Sequence, residues 1–167
     1  MSHIVVVSGN PRPGSRTSAL AVAVGEALAA GAPVEVVEVG ELGAGLLTPG
    51  DEPTARAVRL VREAEVLVVA TPTYKGSYTG VLKVLLDHLP AQALAGKRAV
   101  PVVTAGVAPQ AEAAEALLRQ LLTELGAEVA PGLPVVEADL PDSKSIAEAY
   151  THSKTTASLQ ATDNREY

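Results

Sequence analysis

Short apolar runs rich in β-branched residues alternate along this chain with longer segments whose apolar residues recur at helical spacing. Strands that alternate with helices form parallel sheets covered by helices on both faces, and strands buried on both sides are uninterrupted apolar runs. The pattern therefore predicts an α/β fold with a doubly wound, five-stranded parallel sheet. The predicted strands are 3–7, 34–39, 66–70, 97–104 and 134–136, and the predicted helices are 17–30, 54–64, 80–89, 110–125 and 143–160.

Composition limits the classes of protein and of site. The 167 residues are the size of one domain, predicted over 1–160, followed by a polar tail at 161–167 that we expect to be disordered. A net charge of −6 argues against nucleic acid as a partner. The absence of cysteine excludes disulfides and thiolate metal sites, and three scattered histidines predict no metal site. Because no apolar run would span a bilayer and no signal peptide is recognisable, we expect a cytoplasmic protein without membrane contact.

The first predicted strand leads into a polar loop, residues 8–18, that precedes a helix. The loop holds four hydroxyl side chains, two glycines, two prolines and two arginines. Unpaired N–H groups and the helix dipole favour an anion at such a helix start, and Arg12 or Arg16 can add a charge-assisted hydrogen bond. The pattern favours a phosphate site; the alternative is a plain turn capped by Thr17 or Ser18.

Two well-known phosphate loops are excluded by the same residues. The dinucleotide fingerprint needs a second glycine two places after Gly9, where Pro11 stands. Gly9 and Gly14 have the spacing of a Walker A loop, but Ser15 and Arg16 replace its lysine and hydroxyl residue. A mononucleotide phosphate is therefore favoured over a pyrophosphate or a triphosphate.

Two further loops follow predicted strands and are expected at the same edge of the sheet. Residues 71–80 combine two tyrosines, a lysine, two glycines and four serine or threonine residues. Residues 104–109 begin with small side chains, which let a planar ligand approach the backbone. In open α/β sheets, ligands bind outside the carboxyl ends of the strands, so these loops and 8–18 predict one site. Tyrosines are the only aromatic residues available for stacking on such a ligand.

The segments after these loops carry three further expectations. The helix at 80–89 is apolar nearly all round, which indicates deep burial or, as we favour, a subunit interface. Lys83 and Asp87 are spaced to form an ion pair on it. The helix at 110–125 is predicted to bury Leu117, Leu121 and Leu125. Pro101 argues against full pairing of the strand at 97–104.

Two stretches together resemble a known family. The sequences SGNPRPGSRTSAL at 8–20 and TPTYKGSYTGVLKVLLDHLP at 71–90 resemble the NAD(P)H-dependent FMN reductases of the flavodoxin-like fold. Within them the chain is most similar to reductases that supply reduced FMN to alkanesulfonate-type two-component monooxygenases. The resemblance implies the strand order 2-1-3-4-5 and a homodimer or homotetramer, for which we expect an interface through helix 80–89.

The resemblance also implies a site and a reaction. The reaction is direct hydride transfer from NADPH or NADH to FMN, for which we assign no protein acid, base or nucleophile. Lys75 near the flavin ring is a candidate for stabilising negative charge. Asn10 stands where the family usually has serine. The first loop would hold the FMN phosphate and the other two the ring; the implied residues are Gly9, Asn10, Arg12, Ser15, Thr17 and Ser18, then Pro72, Thr73, Tyr74, Lys75 and Gly76, and finally Thr104, Ala105 and Gly106.

Several functions stay open at this point. The chain is expected to supply reduced flavin to a partner monooxygenase, but an enzyme that retains FMN and reduces a quinone, azo compound or metal ion is the main alternative. A non-enzymatic FMN carrier is disfavoured because the first loop lacks the threonine-rich pattern of flavodoxins and no tryptophan is available for stacking. A signalling receiver domain would need acidic residues where Ser8 and Thr71 stand. The residues choose neither NADH nor NADPH.

Overall fold

A computed structural model describes residues 2–163, and from residue 154 onward only the backbone of the last helix. Strands and helices alternate as the sequence predicts, with short 3₁₀ turns at Gly43–Leu47 and Glu137–Asp142. The elements are β1 Ile4–Ser8, α1 Arg16–Ala29, β2 Glu35–Glu38, α2 Val39–Leu42, α3 Glu52–Glu63, β3 Val66–Pro72, α4 Gly80–Asp87, β4 Arg98–Ala105, α5 Ala108–Glu124, β5 Glu128–Val129, β6 Leu133–Val136 and α6 Ser143–Asp163.

All strand pairs in the sheet are parallel, and their order is β2-β1-β3-β4-β5, with β6 also paired to β4. The predicted flavodoxin-like, doubly wound sheet is therefore confirmed. The fifth strand differs from the prediction, because it is split into β5 and β6. Only β6 had been predicted, at 134–136, since a two-residue strand is too short to leave a pattern in the sequence.

Pro101 lies at the split. Carbonyl oxygens of Lys97 and Ala99 accept from the N–H groups of Glu128 and Ala130, so odd-numbered residues of β4 face β5. The nitrogen of Pro101 points the same way, between the end of β5 and the start of β6 at Leu133. Its missing N–H therefore costs no ladder bond, while pairing of β4 with β3 continues past Pro101. Incomplete pairing at Pro101 is confirmed.

The core lies on both faces of the sheet. Apolar side chains of α1 and α6 cover one face, and those of α3, α4 and α5 cover the other. The buried stripe predicted for α5 is wrong by one position, because Leu117 is 41 % exposed and Leu121 and Leu125 are only partly buried. The fully buried residues of α5 are Ala111, Ala114, Leu118 and Leu122. The two alanines belong to the buried face, and a prediction made from the positions of the leucines alone does not include them.

Helix α4 supplies much of the core under the second face. Leu82, Leu85 and Leu86 are buried within the chain itself, while Val81 and Val84 are only partly covered. The predicted ion pair forms, with Lys83 Nζ 2.6 Å from Asp87 Oδ1, and this carboxylate raises the pKa of Lys83. Burial inside the domain thus accounts for most of the apolar surface of α4, and an outer strip remains.

The structure contains helical residues where none was predicted. The segment between the predicted strand at 34–39 and the predicted helix at 54–64 contains most of α2, a 3₁₀ turn and the first residues of α3. Helix α6 continues to Asp163, so residues 161–163 of the predicted tail are helical, and 164–167 lie outside the described residues.

Tyr150 holds α6 to the loop before β6: its hydroxyl donates to the carbonyl of Pro131 at 2.5 Å, and burial raises its pKa to about 12. Across residues 2–163, each helix is too short or too polar to span a bilayer.

Candidate functional site

The three predicted loops meet at the carboxyl edge of the sheet. Thr17 Oγ1, at the start of α1, lies 2.9 Å from Thr104 Oγ1 at the end of β4. The hydroxyl of Thr73, just beyond β3, donates to the carbonyl of Thr104 at 2.9 Å. Thr104 is 2 % exposed, so these hydrogen bonds join all three loops inside the protein. The structure thus brings the three loops together at one edge of the sheet, and the binding site expected there stays a prediction.

Gly9 fixes where the first loop leaves the sheet. Its N–H donates to the carbonyl of Ala70 at 2.7 Å, and its carbonyl accepts from Thr79 Oγ1, the N-cap of α4, at 2.5 Å. A Cβ built on Gly9 would lie 2.8 Å from the Cβ of Leu82. Gly9 therefore shapes the turn by close packing.

Asn10 shapes the next turn of the loop. It is 7 % exposed, and its Oδ1 accepts from the N–H of Arg12 at 2.9 Å. This is an Asx turn, which directs the following residues outward. A serine side chain would make the same turn more weakly, so the asparagine is an effective replacement.

The loop ends in a set of unused hydrogen-bond donors. Ser15 caps α1 and accepts from the N–H of Ser18 at 3.1 Å. Within 2–163, the backbone N–H groups of residues 14–17 donate to no acceptor, and neither Arg12 nor Arg16 has an ion-pair partner. Four free N–H groups at a helix start and two unpaired guanidinium groups make a site for a phosphate.

Ser18 has a different environment from the rest of the loop. It is 3 % exposed, its Oγ lies 2.5 Å from Ser8 Oγ, and it donates to Glu38 Oε2 at 3.1 Å. Its hydroxyl points into the protein, not toward the solvent side of the loop. Its predicted contact with phosphate stays a prediction.

A cavity of about 470 Å³ opens beside these donors. Predicted site residues that line it are Asn10, Arg12, Ser15, Thr17, Pro72, Tyr74 and Thr104, together with Pro13, Gly14 and Arg16 of the first loop. The remaining predicted residues lie around it without lining it: Gly9, Ser18, Thr73, Lys75, Gly76, Ala105 and Gly106. A volume of this size is ordinary for a cofactor or substrate site.

Glu137 and Leu140 also line this cavity and were not predicted. They belong to the 3₁₀ turn that directly follows β6. The rule that ligands bind beyond the carboxyl ends of strands applies to β6 as well, and would have found them. They add a carboxylate and an apolar side chain to a cavity whose other charges are arginines.

Lys75 occupies a turn beside the cavity. The turn is closed by two hydrogen bonds between the backbones of Tyr74 and Ser77, at 3.0 and 3.2 Å. Its central residues, Lys75 and Gly76, have φ of 52° and 80°. Both therefore adopt the left-handed conformation of a type I′ turn, which glycine and asparagine tolerate and lysine does not favour.

A larger cavity of about 700 Å³ lies elsewhere, between the 3₁₀ turn at 43–47, α3 and the end of α4. Its walls are mostly apolar, and it contains none of the predicted site residues. The free N–H groups of residues 14–17 and the side chains of Arg12 and Arg16 are at the smaller cavity. The chemistry therefore identifies the smaller cavity as the candidate site.

The fold is that of a flavodoxin-like α/β protein, with a candidate site for a mononucleotide at the carboxyl edge of its sheet. The model of the NADPH-dependent FMN reductase family matches residues 2–139. The chain belongs to that family, as the two sequence stretches had indicated.

Individual relatives agree with this assignment. The FMN reductase (NADPH) of Escherichia coli strain K12 is 34 % identical over 131 residues, which are 75 % of this chain and 68 % of the relative. The NADH-dependent FMN reductase SfnE of Pseudomonas putida is 33 % identical over 148 residues, 84 % of this chain and 80 % of the relative. The structure of an apo NADH:FMN oxidoreductase (EMOB) superposes with a TM-score of 0.78 at 31 % identity, covering 92 % of this chain and 90 % of that one.

The chain is thus an NAD(P)H:FMN oxidoreductase that uses FMN and a nicotinamide nucleotide. The donors described above fit the FMN phosphate, because they offer several N–H groups and two guanidinium groups to one anion. FMN, when bound, would supply the hydride-accepting ring. The residues of the chain that would hold it are the free N–H groups of 14–17 with Arg12 and Arg16 for the phosphate, and the wall formed by Pro72, Tyr74 and Thr104.

Proposed function

We propose that this enzyme, acting in the cytoplasm, supplies reduced FMN to a separate flavin-dependent monooxygenase, and therefore exchanges its flavin. The supporting observation is the sparse aromatic lining of the site. Tyr74 is the aromatic residue that lines the cavity, and it is 43 % exposed. Because stacking on buried aromatic rings is a main source of affinity for flat ligands, such a cavity favours release over retention.

The proposal assigns the two ends of FMN to different residues. The phosphate lies at the N–H groups of 14–17 with Arg12, Arg16 and the Ser15 hydroxyl. The ring lies toward Pro72, Tyr74 and Thr104, with the turn at Lys75 beside it. This assignment follows the residues that each loop contributes to the lining: Arg12 and Arg16 come from the first loop, and apolar and aromatic surface comes from Pro72 and Tyr74 of the second.

The first experiment is the visible absorption spectrum of the purified protein before and after desalting, followed by NADH and NADPH oxidation with added FMN. We expect colourless protein after desalting and an oxidation rate that saturates with added FMN. Yellow protein that survives desalting would support the alternative, an FMN-retaining reductase of quinones, azo compounds or metal ions. FMN binding without nucleotide oxidation would support an electron carrier.

The Lys75 turn gives one prediction within this proposal. Lys75→Asn is expected to stabilise the fold by about 0.5–1 kcal/mol, because asparagine tolerates the left-handed conformation better. Lys75→Met, which removes the charge, is expected to slow NAD(P)H oxidation with FMN several-fold, and Lys75→Arg is the control that keeps the charge. Thermal melting and steady-state rates test the two effects. An unchanged rate and FMN affinity in Lys75→Met would remove the proposed charge role.

We also propose a homodimer or homotetramer in which a second copy covers the outer strip of α4 and the larger cavity beside it. Leu47, at the edge of this cavity, is 79 % exposed, and Val58 and Val84 line it. Val84→Asp is expected to shift the mass of the protein in solution toward that of the monomer, because the new carboxylate would be buried at the interface without a partner. Analytical ultracentrifugation measures this, with Leu117→Asp on α5 as a matched exposed control. An unmodified protein that sediments as a monomer would contradict the proposal.

A further inference from the structure

A chain of hydroxyl groups beneath the first loop, buried at Ser8 and Ser18, ends on a partly exposed carboxylate. Ser18 Oγ lies 2.5 Å from Ser8 Oγ and 3.1 Å from Ser15 Oγ, and it donates to Glu38 Oε2 at 3.1 Å. Glu38 is the last residue of β2 and is paired in register with Ser8 of β1, so its position is fixed by the sheet. A negative charge is therefore hydrogen-bonded to the same loop that is proposed to bind a phosphate.

The hydrogen bonds of this chain determine which way the protons point. An ionised carboxylate only accepts, so the Ser18 proton is used on Glu38. Ser18 Oγ therefore accepts from Ser8 and from Ser15. The hydroxyl of Ser15 points inward in this arrangement, and it has to leave Ser18 before it can donate to a phosphate oxygen.

The carboxylate also opposes a phosphate electrostatically. Each step from Glu38 Oε2 to Ser18 Oγ and on to Ser15 Oγ is 3.1 Å, so Ser15 lies within twice that length of the carboxylate. A phosphate oxygen bonded to Ser15 would be one hydrogen bond further from the carboxylate. Its distance from Glu38 would then be comparable to the Debye length of about 8 Å, so the repulsion between the two charges is only partly screened. The positive end of the α1 dipole also stabilises the Glu38 carboxylate, and a bound phosphate would share this stabilisation with it.

We propose that Glu38 weakens the retention of FMN by this enzyme and so promotes exchange of the flavin. The inference rests on the proposed function, because it requires the FMN phosphate to lie in the first loop. Glu38 acts through Ser18 and Ser15 and by its charge, and it does not contact the flavin. It is the counterpart of Arg12 and Arg16: the arginines attract the phosphate, and Glu38 limits how tightly it is held.

The test compares ligand-binding affinities of Glu38→Gln with those of the unmodified protein. We expect the Kd for FMN to fall about tenfold, the order that Coulomb's law gives for removing one charge at this separation near a protein surface. The Kd for riboflavin, which lacks the phosphate, should not change. Titrations followed by flavin fluorescence give both values, and more FMN should remain with Glu38→Gln through desalting.

Two control variants separate this effect from others. Glu26→Gln removes the same charge from the exposed side of α1, about two turns beyond Ser18, and should leave both affinities unchanged. Glu38→Asp keeps the charge and should keep the weaker FMN affinity. Glu38→Met removes the charge without an amide and provides the same comparison if the glutamine variant folds poorly.

The outcomes separate this inference from the proposed function. FMN binding that neither Glu38→Gln nor Glu38→Met tightens, or tightening equal for FMN and riboflavin, would overturn the inference alone. Weaker FMN binding with a lower melting temperature would show that Glu38 only supports the fold, and would also overturn it. Failure of the unmodified protein to bind FMN at all would overturn the proposed function and this inference with it.

Discussion

Replacing Arg12 and Arg16 together with alanine is expected to raise the Kd for FMN about a hundredfold. Both guanidinium groups line the cavity, and neither has an ion-pair partner within the described part of the chain. Hydrogen bonds to charged groups contribute about 1.5–3 kcal/mol each, and about 1.4 kcal/mol corresponds to a factor of ten. Exposure of both side chains places each arginine near the lower end of that range.

The experiment is a fluorescence titration of FMN and of riboflavin at two salt concentrations. The double variant should lose affinity for FMN alone, and the salt dependence of FMN binding should fall because two of the charges that bind the phosphate are gone. Arg56→Ala combined with Arg62→Ala is the matched control, since it removes two exposed arginines from α3, away from the cavity. Equal loss of FMN and riboflavin binding would contradict a phosphate site in this loop.

The three loops that were predicted to form the site had a direct signal in the sequence. An uninterrupted apolar run such as residues 66–70 predicts a buried parallel strand, and the polar residues that follow it must lie at the carboxyl edge. The same rule places the first loop there, and the contacts among Thr17, Thr73 and Thr104 agree with it. The strand pattern therefore predicted the edge of the sheet, the composition of the first loop favoured a mononucleotide phosphate, and the family resemblance implied FMN.

The parts that were not predicted depend on packing between segments distant in sequence. Glu137 is the exception, because it directly follows β6, whose residues 134–136 were predicted, and the strand-end rule applied to β6 would have placed it at the carboxyl edge. Ser18 looks like any hydroxyl of the first loop, and its contact with Glu38 exists because β2 lies beside β1. The buried face of α5 was assigned to the wrong leucines because Ala111 and Ala114 lie against the sheet, and small residues carry little hydrophobic signal.

Gly40 is another residue with no signal in the sequence, and Gly40→Ala is expected both to destabilise the enzyme and to weaken FMN binding. A Cβ at this position would lie 2.4 Å from the carbonyl oxygen of Pro11 and 2.8 Å from that of Asn10. Both atoms are backbone, so they cannot move aside as a flexible side chain would. Overpacking of this kind costs about 1–3 kcal/mol, which lowers the melting temperature by about 2–4 °C per kcal/mol in a chain of this size.

Of the two segments that would clash in Gly40→Ala, we expect the first loop to move and α2 to stay in place. Val39, the neighbour of Gly40 in α2, is 0 % exposed and holds that helix in the core, whereas Pro11 is exposed. A shift of the Asn10–Pro11 backbone would displace the turn that positions Arg12, so the Kd for FMN should rise at least tenfold, the equivalent of about 1.4 kcal/mol. Gly80→Ala is the matched control, because a Cβ there meets no atom within 4 Å, and it should leave the Kd and the melting temperature nearly unchanged. A lower melting temperature with an unchanged Kd in Gly40→Ala would mean that α2 yields instead, and that the phosphate loop keeps its position independently of the helix beneath it.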